Sequence, residues 1–448
     1  MNTKIFKNRT EFLFFFALLI VAAIGSASVY LFKLNGPPIR SDGLGYYVYL
    51  PSVFIYNDIS LNKFVEAYSA DYGDEIQDTW NGATKYQDTG KYLNKYPVGV
   101  AVMAFPFFII AHITTIFINN FVYFPPDGFS SNLYQAMQSI SGTIYALLGL
   151  FILKRILDRY FKPTIVYFSL IILTFGTNLF HYFTYDAGFS HTYSLLLISL
   201  FLFLTIRWHN NPSKLNSILI GLTTGLITIV RPTNLLIVLF FLLWEFELGS
   251  IRAKLKEKWN LFIKNYKNIL LIIISGLIVV SIQLLYWYAI TGKFIVYSYG
   301  EEGFNLTKPE VLNVLFSIRK GLFFWAPALL LIIPGFYLMY KKLKKFFIAS
   351  VVFLLIYLWI ASSWWHWPYG GGFGMRALID TFPILIFPLA LTFERIVNIR
   401  SKFWRHFVYA VIFLLCVFTT YMMIQYWRGL IPPDGTDWNV LTNALEFI

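Results

Sequence analysis

The 448-residue chain contains a single cysteine, Cys416, inside an apolar run, so no disulfide framework staples the fold and the redox compartment cannot be read from it. Charge is also scarce: 13% of residues are Asp, Glu, Lys or Arg, against 57% hydrophobic and 20% aromatic. With a mean hydropathy of +0.61, that balance excludes a water-soluble globule. The apolar stretches lack strand-like alternation, which excludes a membrane β-barrel. There is no P-loop, no G-x-S-x-G and no metal-ligand spacing, and the Gly370–Gly372 run with Gly374 has no nucleotide-binding strand–helix context. Internal repeats and low-complexity tracts are absent too.

What is present is a series of apolar runs of about 20 residues, the length a helix needs to cross the hydrocarbon core. They predict an all-α polytopic membrane protein of about 11–13 transmembrane helices, with spans near 11–33, 133–153, 163–183, 188–208, 215–230, 233–248, 269–290, 321–340, 346–363, 375–394 and 405–427. The first follows Lys4, Lys7 and Arg9 and is longer than the apolar core of a signal peptide, so it reads as an uncleaved anchor despite the small residues at Gly25–Ser28. With the N-terminus cytoplasmic, the inside segments 1–11, 154–162, 207–214, 245–268, 341–345 and 394–405 hold 23 of the 36 Lys+Arg but 6 of the 23 Asp+Glu. That asymmetry satisfies the positive-inside rule, so the basic composition reports topology and not nucleic-acid binding. One further apolar segment, Pro97 to Asn120, would invert every later basic loop if it crossed. It contains Pro97, Pro106 and His112 and is read as a re-entrant or surface hairpin that begins and ends outside. The whole chain then forms one membrane domain with a large first outside loop, 34–132.

Charged groups at membrane depth cost about 2.5–3.5 kcal/mol each on insertion scales and are functional candidates by default. Four clusters fall at the outer ends of the predicted helices: Arg40, Ser41 and Asp42 with Tyr46 and Tyr47; His181, Asp186 and His191; Arg231 and Asn234; and His366, Arg376 and Asp380. Each also has a plain reading. Asp42 could cap a helix that starts at Gly43, and the Tyr and Trp residues could be an interfacial belt. Asp186 could cap the span after it, Arg231 could snorkel, and Arg376 with Asp380, spaced i, i+4, could be an ordinary helix ion pair. Random polar residues would divide between the two faces, whereas all four clusters share one. Carboxylates beside Arg and His in a wet outward cavity suit displacement of a phosphate leaving group by an alcohol or amine: the carboxylate takes or orients the nucleophile's proton, and the cations hold the phosphate oxygens.

An apolar first span followed at once by Asp42 resembles the membrane glycosyltransferases of the GT-C superfamily, which include protein O-mannosyltransferases and the lipid A aminoarabinose transferase. "KYPVG" (Lys95, Tyr96 and onward) sits where mannosyltransferase-like members carry a His-Pro-Pro-containing segment. "FTYDAGFSH" stands where oligosaccharyltransferase-like members carry a further acidic motif, and "GGGFGMRALIDTFP" is similar to a Gly-x-Arg segment of bacterial members. The resemblance implies transfer of a sugar from a polyprenyl-phosphate-linked donor to a lipid, glycan or protein acceptor, in the cytoplasmic (inner) membrane on its extracytoplasmic face. It implies Asp42 as the acid that activates the acceptor, and Arg376 with Lys95 as phosphate contacts. Asp42 is followed by Gly43, where the mannosyltransferase-like pattern has an Asp-Glu pair, so the second carboxylate is taken from elsewhere, as Asp186. Arg40, Tyr46, Tyr96, His191, Arg231 and His366 complete the expected substrate-binding set. Membrane lipids are expected partners and nucleic acid is not. No nucleotide cofactor is expected, and use of a divalent cation stays open because the superfamily is mixed. The alternatives are a transporter or flippase of lipid-linked saccharides and an O-antigen polymerase or ligase.

Overall fold

The computed structural model describes residues 6–31, 38–73, 77–247 and 251–446. The end of the predicted first span (Phe32, Lys33) and Pro37 lie outside them. Among the described residues, eight helices are long and apolar enough to cross a bilayer, and shorter apolar helices cover Pro163–Phe175, Lys214–Val230 and Pro232–Leu242. The protein is a helical, membrane-spanning bundle. Its centre is formed by Ser190–Asn210 and Arg376–Val397, buried over 83% and 94% of their most apolar stretch, whereas Tyr266–Thr291 and Lys402–Trp427 are buried over only 17% and 22% and turn their apolar side chains outward.

Two predicted spans are interrupted, and a third break separates the spans predicted at 215–230 and 233–248. The 163–183 run stops at Gly176 and resumes as Leu179–Thr184. Pro232 and Pro327 each open a 3₁₀ turn directly after a residue in extended or irregular backbone, Arg231 and Ala326, because proline excludes helical geometry from the residue before it. These breaks expose polar backbone inside the bundle, which is tolerable where protein or a cavity surrounds it.

Helix direction gives the bundle two distinct ends. Glu11, near the start of Arg9–Leu31, lies 3.3 Å from Lys154 and 3.4 Å from Arg155 near the end of Asn132–Leu157, and Lys7 bonds Asp158 at 2.9 Å. Ser190–Asn210 ends at its basic segment, while Lys214–Val230 and Lys344–Ser362 begin at theirs. One end is therefore basic, and the clusters singled out above stand at the other.

Residues Gly99–Asn119 form one uninterrupted 21-residue helix, where the sequence suggested a hairpin. Pro106 removes a single N–H without reversing the chain. The segments flanking the helix both meet the capping loop. Just before it, Tyr96 bonds Asp42 (2.8 Å); beyond it, Gly128 accepts from Tyr47 (2.6 Å). Contacts of Tyr145 with Met103 O (2.7 Å) and of Tyr134 with His112 Nδ1 (2.7 Å) run it antiparallel along the first part of Asn132–Leu157.

The rest of the first loop caps this end with helices Ser41–Tyr47, Tyr49–Phe54 and Asn62–Tyr72 and a three-stranded antiparallel meander. Trp80 pairs with Ala83 across a turn at Asn81 and Gly82, both at positive φ, and Ala83 pairs with Asn94. An Asn-Gly pair favours this tight turn because both central residues must enter the left-handed region. The meander delivers Lys95 and Tyr96 to the top of the bundle.

Candidate active site

Helix Ser41–Tyr47 starts one residue before Asp42, with Arg40 as an extended N-cap residue whose side chain makes no capping bond. Asp42 does not spend its carboxylate on its own helix. Oδ2 takes the Arg376 guanidinium at 2.7 Å, and Oδ1 accepts from the Tyr96 hydroxyl at 2.8 Å. Burial, with Asp42 alongside, pushes the Tyr96 phenol far above its ordinary pKa, so it remains a hydrogen-bond donor.

Arg376 opens the 3₁₀ turn Arg376–Thr381. With three residues per turn, positions i and i+4 point about 120° apart, against about 40° in an α-helix. The i, i+4 pair with Asp380 therefore does not form. Asp380 turns into the bundle and takes Arg231 (3.3 Å), His191 (3.3 Å), Asn234 (3.1 Å) and Tyr357 (3.2 Å). Just upstream, Gly372 and Gly374 sit at φ +153° and +61°, and a Cβ on Gly372 would lie 2.6 Å from the Tyr182 hydroxyl. This segment has to be glycine to pass Tyr182 and present Arg376.

Asp42 and Arg376 border a cavity of about 490 Å³ that also meets Ser41, Tyr46, Lys95, Tyr96, His191, Arg231 and His366. Eight of the ten expected site residues thus converge. Lys95 pairs with Glu302 at 2.7 Å and stands 5.5 Å and 5.9 Å from the ring centres of Tyr96 and Tyr299. Tyr46 bonds Ser190 at 3.2 Å. His366 faces the Arg319–Asp434 pair, 3.6 Å from Asp434. One flank of the cavity is cationic; the other is aromatic, with Trp287, Phe304, Trp364 and Trp365.

Arg40 and Asp186 do not border this cavity. Asp186 is 5% exposed, and both its oxygens are engaged: Oδ1 by Arg40 at 2.9 Å and Oδ2 by His181 Nε2 at 2.9 Å. The Trp427 indole N–H donates to His181 Nδ1 (2.9 Å), which leaves the imidazole proton on Nε2, directed at Asp186. Arg40 instead borders a smaller polar groove of about 370 Å³ with Tyr68, Gln77 and Asn81, and Ser41 lies in both spaces.

Two residues of this region were not singled out from the sequence. Glu302 is the second carboxylate of the cavity; its signal was an acidic pair, Glu301–Glu302, in an aromatic outside segment. Lys320 is 2% exposed and donates to the carbonyls of Gly372 and of Pro433, the latter at 2.6 Å, tying the glycine segment to the C-terminal stretch. Burial drives its ammonium down to about 7. Among the described residues, no group of three or more His, Cys, Asp or Glu side chains is placed to hold a metal ion. The cavity carboxylates are each bound to a cation of the chain, Asp42 to Arg376 and Glu302 to Lys95.

No family model matches the sequence, and no curated protein matches it. Solved structures do. The archaeal oligosaccharyltransferase AglB from Archaeoglobus fulgidus, in complex with an inhibitory peptide and a dolichol-phosphate, matches with a TM-score of 0.51 at 11% identity, over 96% of this chain and 57% of its own. ArnT from Cupriavidus metallidurans, bound to undecaprenyl phosphate, matches with a TM-score of 0.51 at 11% identity, over 96% of this chain and 73% of its own. The chain spans just over half the length of the first and about three-quarters of the second. Identities this low speak for architecture alone. The chain shares the membrane fold of these two structures.

Proposed function

We propose that the protein is a membrane glycosyltransferase that moves a sugar from a polyprenyl-phosphate-linked donor to a lipid, glycan or protein acceptor, with Asp42 activating the acceptor. The observation that carries this reading is the convergence of Asp42, Arg376, Lys95 and Arg231, from four separate segments, on one cavity with an aromatic flank. The two fold neighbours, solved with a dolichol-phosphate and with undecaprenyl phosphate, support the lipid-phosphate class of donor.

In this reaction the acceptor hydroxyl or amine attacks the anomeric carbon and gives its proton to Asp42. The bond from that carbon to the phosphate oxygen breaks, and its electron pair leaves with the lipid phosphate. Lys95 and Arg231 neutralise the phosphate as charge develops on it. Arg376 and Tyr96 hold the Asp42 carboxylate in place from either oxygen. Asp186, with His181 and Trp427 behind it, positions Arg40, which stands two residues before Asp42. The acceptor approaches from the polar groove that meets the cavity at Ser41. The gathering of basic segments at the opposite end supports, through the positive-inside rule, a site on the extracytoplasmic side of the cytoplasmic membrane.

The test is transfer from a polyprenyl-phosphate sugar by the purified, reconstituted protein and by Asp42→Asn. Asparagine caps a helix about as well as aspartate but cannot take a proton, so the variant should fold normally and lose about 10²–10⁴-fold in rate. A stable variant with full transfer would remove Asp42 from the mechanism. Sidedness has its own check in a Cys416→Ser background. Cysteines at the exposed positions Tyr72 and Asn439 should both react with an impermeant reagent in intact cells, and protection of either overturns the orientation.

A further inference from the structure

At the basic end, the helix Ile251–Lys264 carries two apolar faces. The inner one packs on the bundle: Phe262 stacks parallel to Phe241 at 6.0 Å between ring centres and lies 6.2 Å from Trp208. The outer one is a stripe of Leu255, Trp259 and Ile263, spaced one turn apart and exposed by 54%, 67% and 54%. At 100° per residue these three fall within about 40° of one line, with Arg252 and Lys256 within about 60° of it on one flank. Glu257 projects from the opposite side and pairs with Lys254 at 2.9 Å. From Ile251 to Lys267 the chain has six basic residues and one acidic residue. No described part of the chain covers the outer stripe. The next element, Tyr266–Thr291, is a peripheral apolar helix long enough to cross the bilayer.

A helix on the water-facing surface of a loop would not carry Trp259 and two aliphatic residues in register. A helix lying in the plane of the bilayer surface does. Its apolar stripe enters the acyl boundary, tryptophan prefers the headgroup level, and Arg and Lys beside the stripe reach up to phosphates. We propose that Ile251–Lys264 is an interfacial anchor that lies on the leaflet at the basic end and recognises anionic phospholipid headgroups. The charge balance selects that partner: a juxtamembrane cluster of this sign and size gains about 1 kcal/mol per basic residue near an anionic surface. A protein partner would have to match both an apolar stripe and a dense cationic flank on a surface already level with lipid. The anchor also bears on the cavity at the far end. The helix that continues from it carries Trp287 in the cavity wall, and its Tyr286 hydroxyl accepts from the Asn94 N–H at 3.0 Å, so the anchor sets the height of that wall. This inference does not depend on the proposed reaction.

The experiment uses full-length protein with Cys416→Ser in nanodiscs of phosphatidylcholine alone or with one-third phosphatidylglycerol. An environment-sensitive fluorophore is attached at Trp259→Cys or, as the control, at Glu257→Cys. The label at 259 should emit to the blue of the label at 257 and be quenched by spin-labelled acyl chains, while iodide in water should quench mainly the label at 257. Equal iodide quenching at the two positions overturns the interfacial placement. A label at 259 shielded from both quenchers overturns it as well, since protein would then cover the stripe. For headgroup choice, spin-labelled phosphatidylglycerol should quench position 259 at least about twofold more than spin-labelled phosphatidylcholine, and Arg252→Gln with Lys256→Gln and Lys264→Gln should abolish the difference. Equal quenching by the two lipids in the unsubstituted helix overturns the anionic preference.

Discussion

Buried charges stand at both ends of this bundle, and the two ends use them differently. At the basic end, Glu11, Lys154, Arg155, Asp158 and Lys7 close on one another and tie the first helix to Asn132–Leu157. No cavity adjoins that cluster among those described. At the other end, Asp42, Arg376, Lys95 and Arg231 are paired just as closely, yet each also borders open space. A buried ion pair in a membrane protein is therefore not by itself a mark of function. The adjoining cavity is what separates a clasp from a site. Asp186 shows the point within one end: it lies among the site residues but, fully engaged by Arg40 and His181, resembles the clasp.

The sharpest way to break the comparison is to remove one carboxylate from each end. Asp42→Asn should lower transfer per folded molecule by about 10²–10⁴-fold, with only a small loss in melting temperature because its pair with Arg376 borders the open cavity. Glu11→Gln should do the reverse: it takes one carboxylate from a buried cluster in which Lys154 keeps Asp158, at a cost of about 1–3 kcal/mol, visible in melting, while transfer per folded molecule stays the same. If Glu11→Gln lost transfer without losing stability, the distinction drawn here would collapse.

Lys95→Met comes next in size. A charge-assisted bond to the donor phosphate is worth about 1.5–3 kcal/mol, so the KM for the lipid-phosphate donor should rise about 10- to 100-fold. The matching Glu302→Gln, which frees Lys95 from its resting partner, should lower it. Steady-state kinetics against donor concentration checks both. Asp186→Asn should have a smaller effect, a loss of about 1–3 kcal/mol in stability and less than about tenfold in rate, because a positioning group alone is weakened. A rate loss as large as that of Asp42→Asn would move Asp186 from the clasp to the site.

A pH slope from Lys320 bears on stability alone. Burial lowers its folded-state pKa to about 7 from an ordinary 10.5. Below about 7 both states hold the proton, and the folded protein bears the full cost of the buried charge. Between 7 and 10.5 the unfolded chain binds the proton more tightly than the folded one, so this group's contribution to stability rises with pH across that window. Lys320→Met should flatten the slope, as measured by melting temperature from pH 6.5 to 10. An unchanged slope would assign it to another group.

The membrane class and the two-ended arrangement were legible in the sequence because both are local, one-dimensional properties. Hydrophobic length marks each span, and the division of Lys and Arg between loops orients the series. Because each polar cluster lies beside a helix end, span parity was enough to bring Asp42, His191, Arg231 and Arg376 to one face. Even the Asn81–Gly82 turn of the capping meander was there to be read. What the tertiary structure alone decided was partnership and access. Asp42 and Arg376 are more than three hundred residues apart in the chain, and nothing in either segment announces the other. Arg376 and Asp380 looked like a pair until a 3₁₀ turn separated their directions. Asp186, expected at the site, is buried against Arg40 and His181, while Glu302, which the sequence did not single out, borders the cavity. The reason is physical: periodicity along a chain says which way a side chain points from its own helix, while the packing of one helix against another, set by shape over the whole bundle, determines what it meets there.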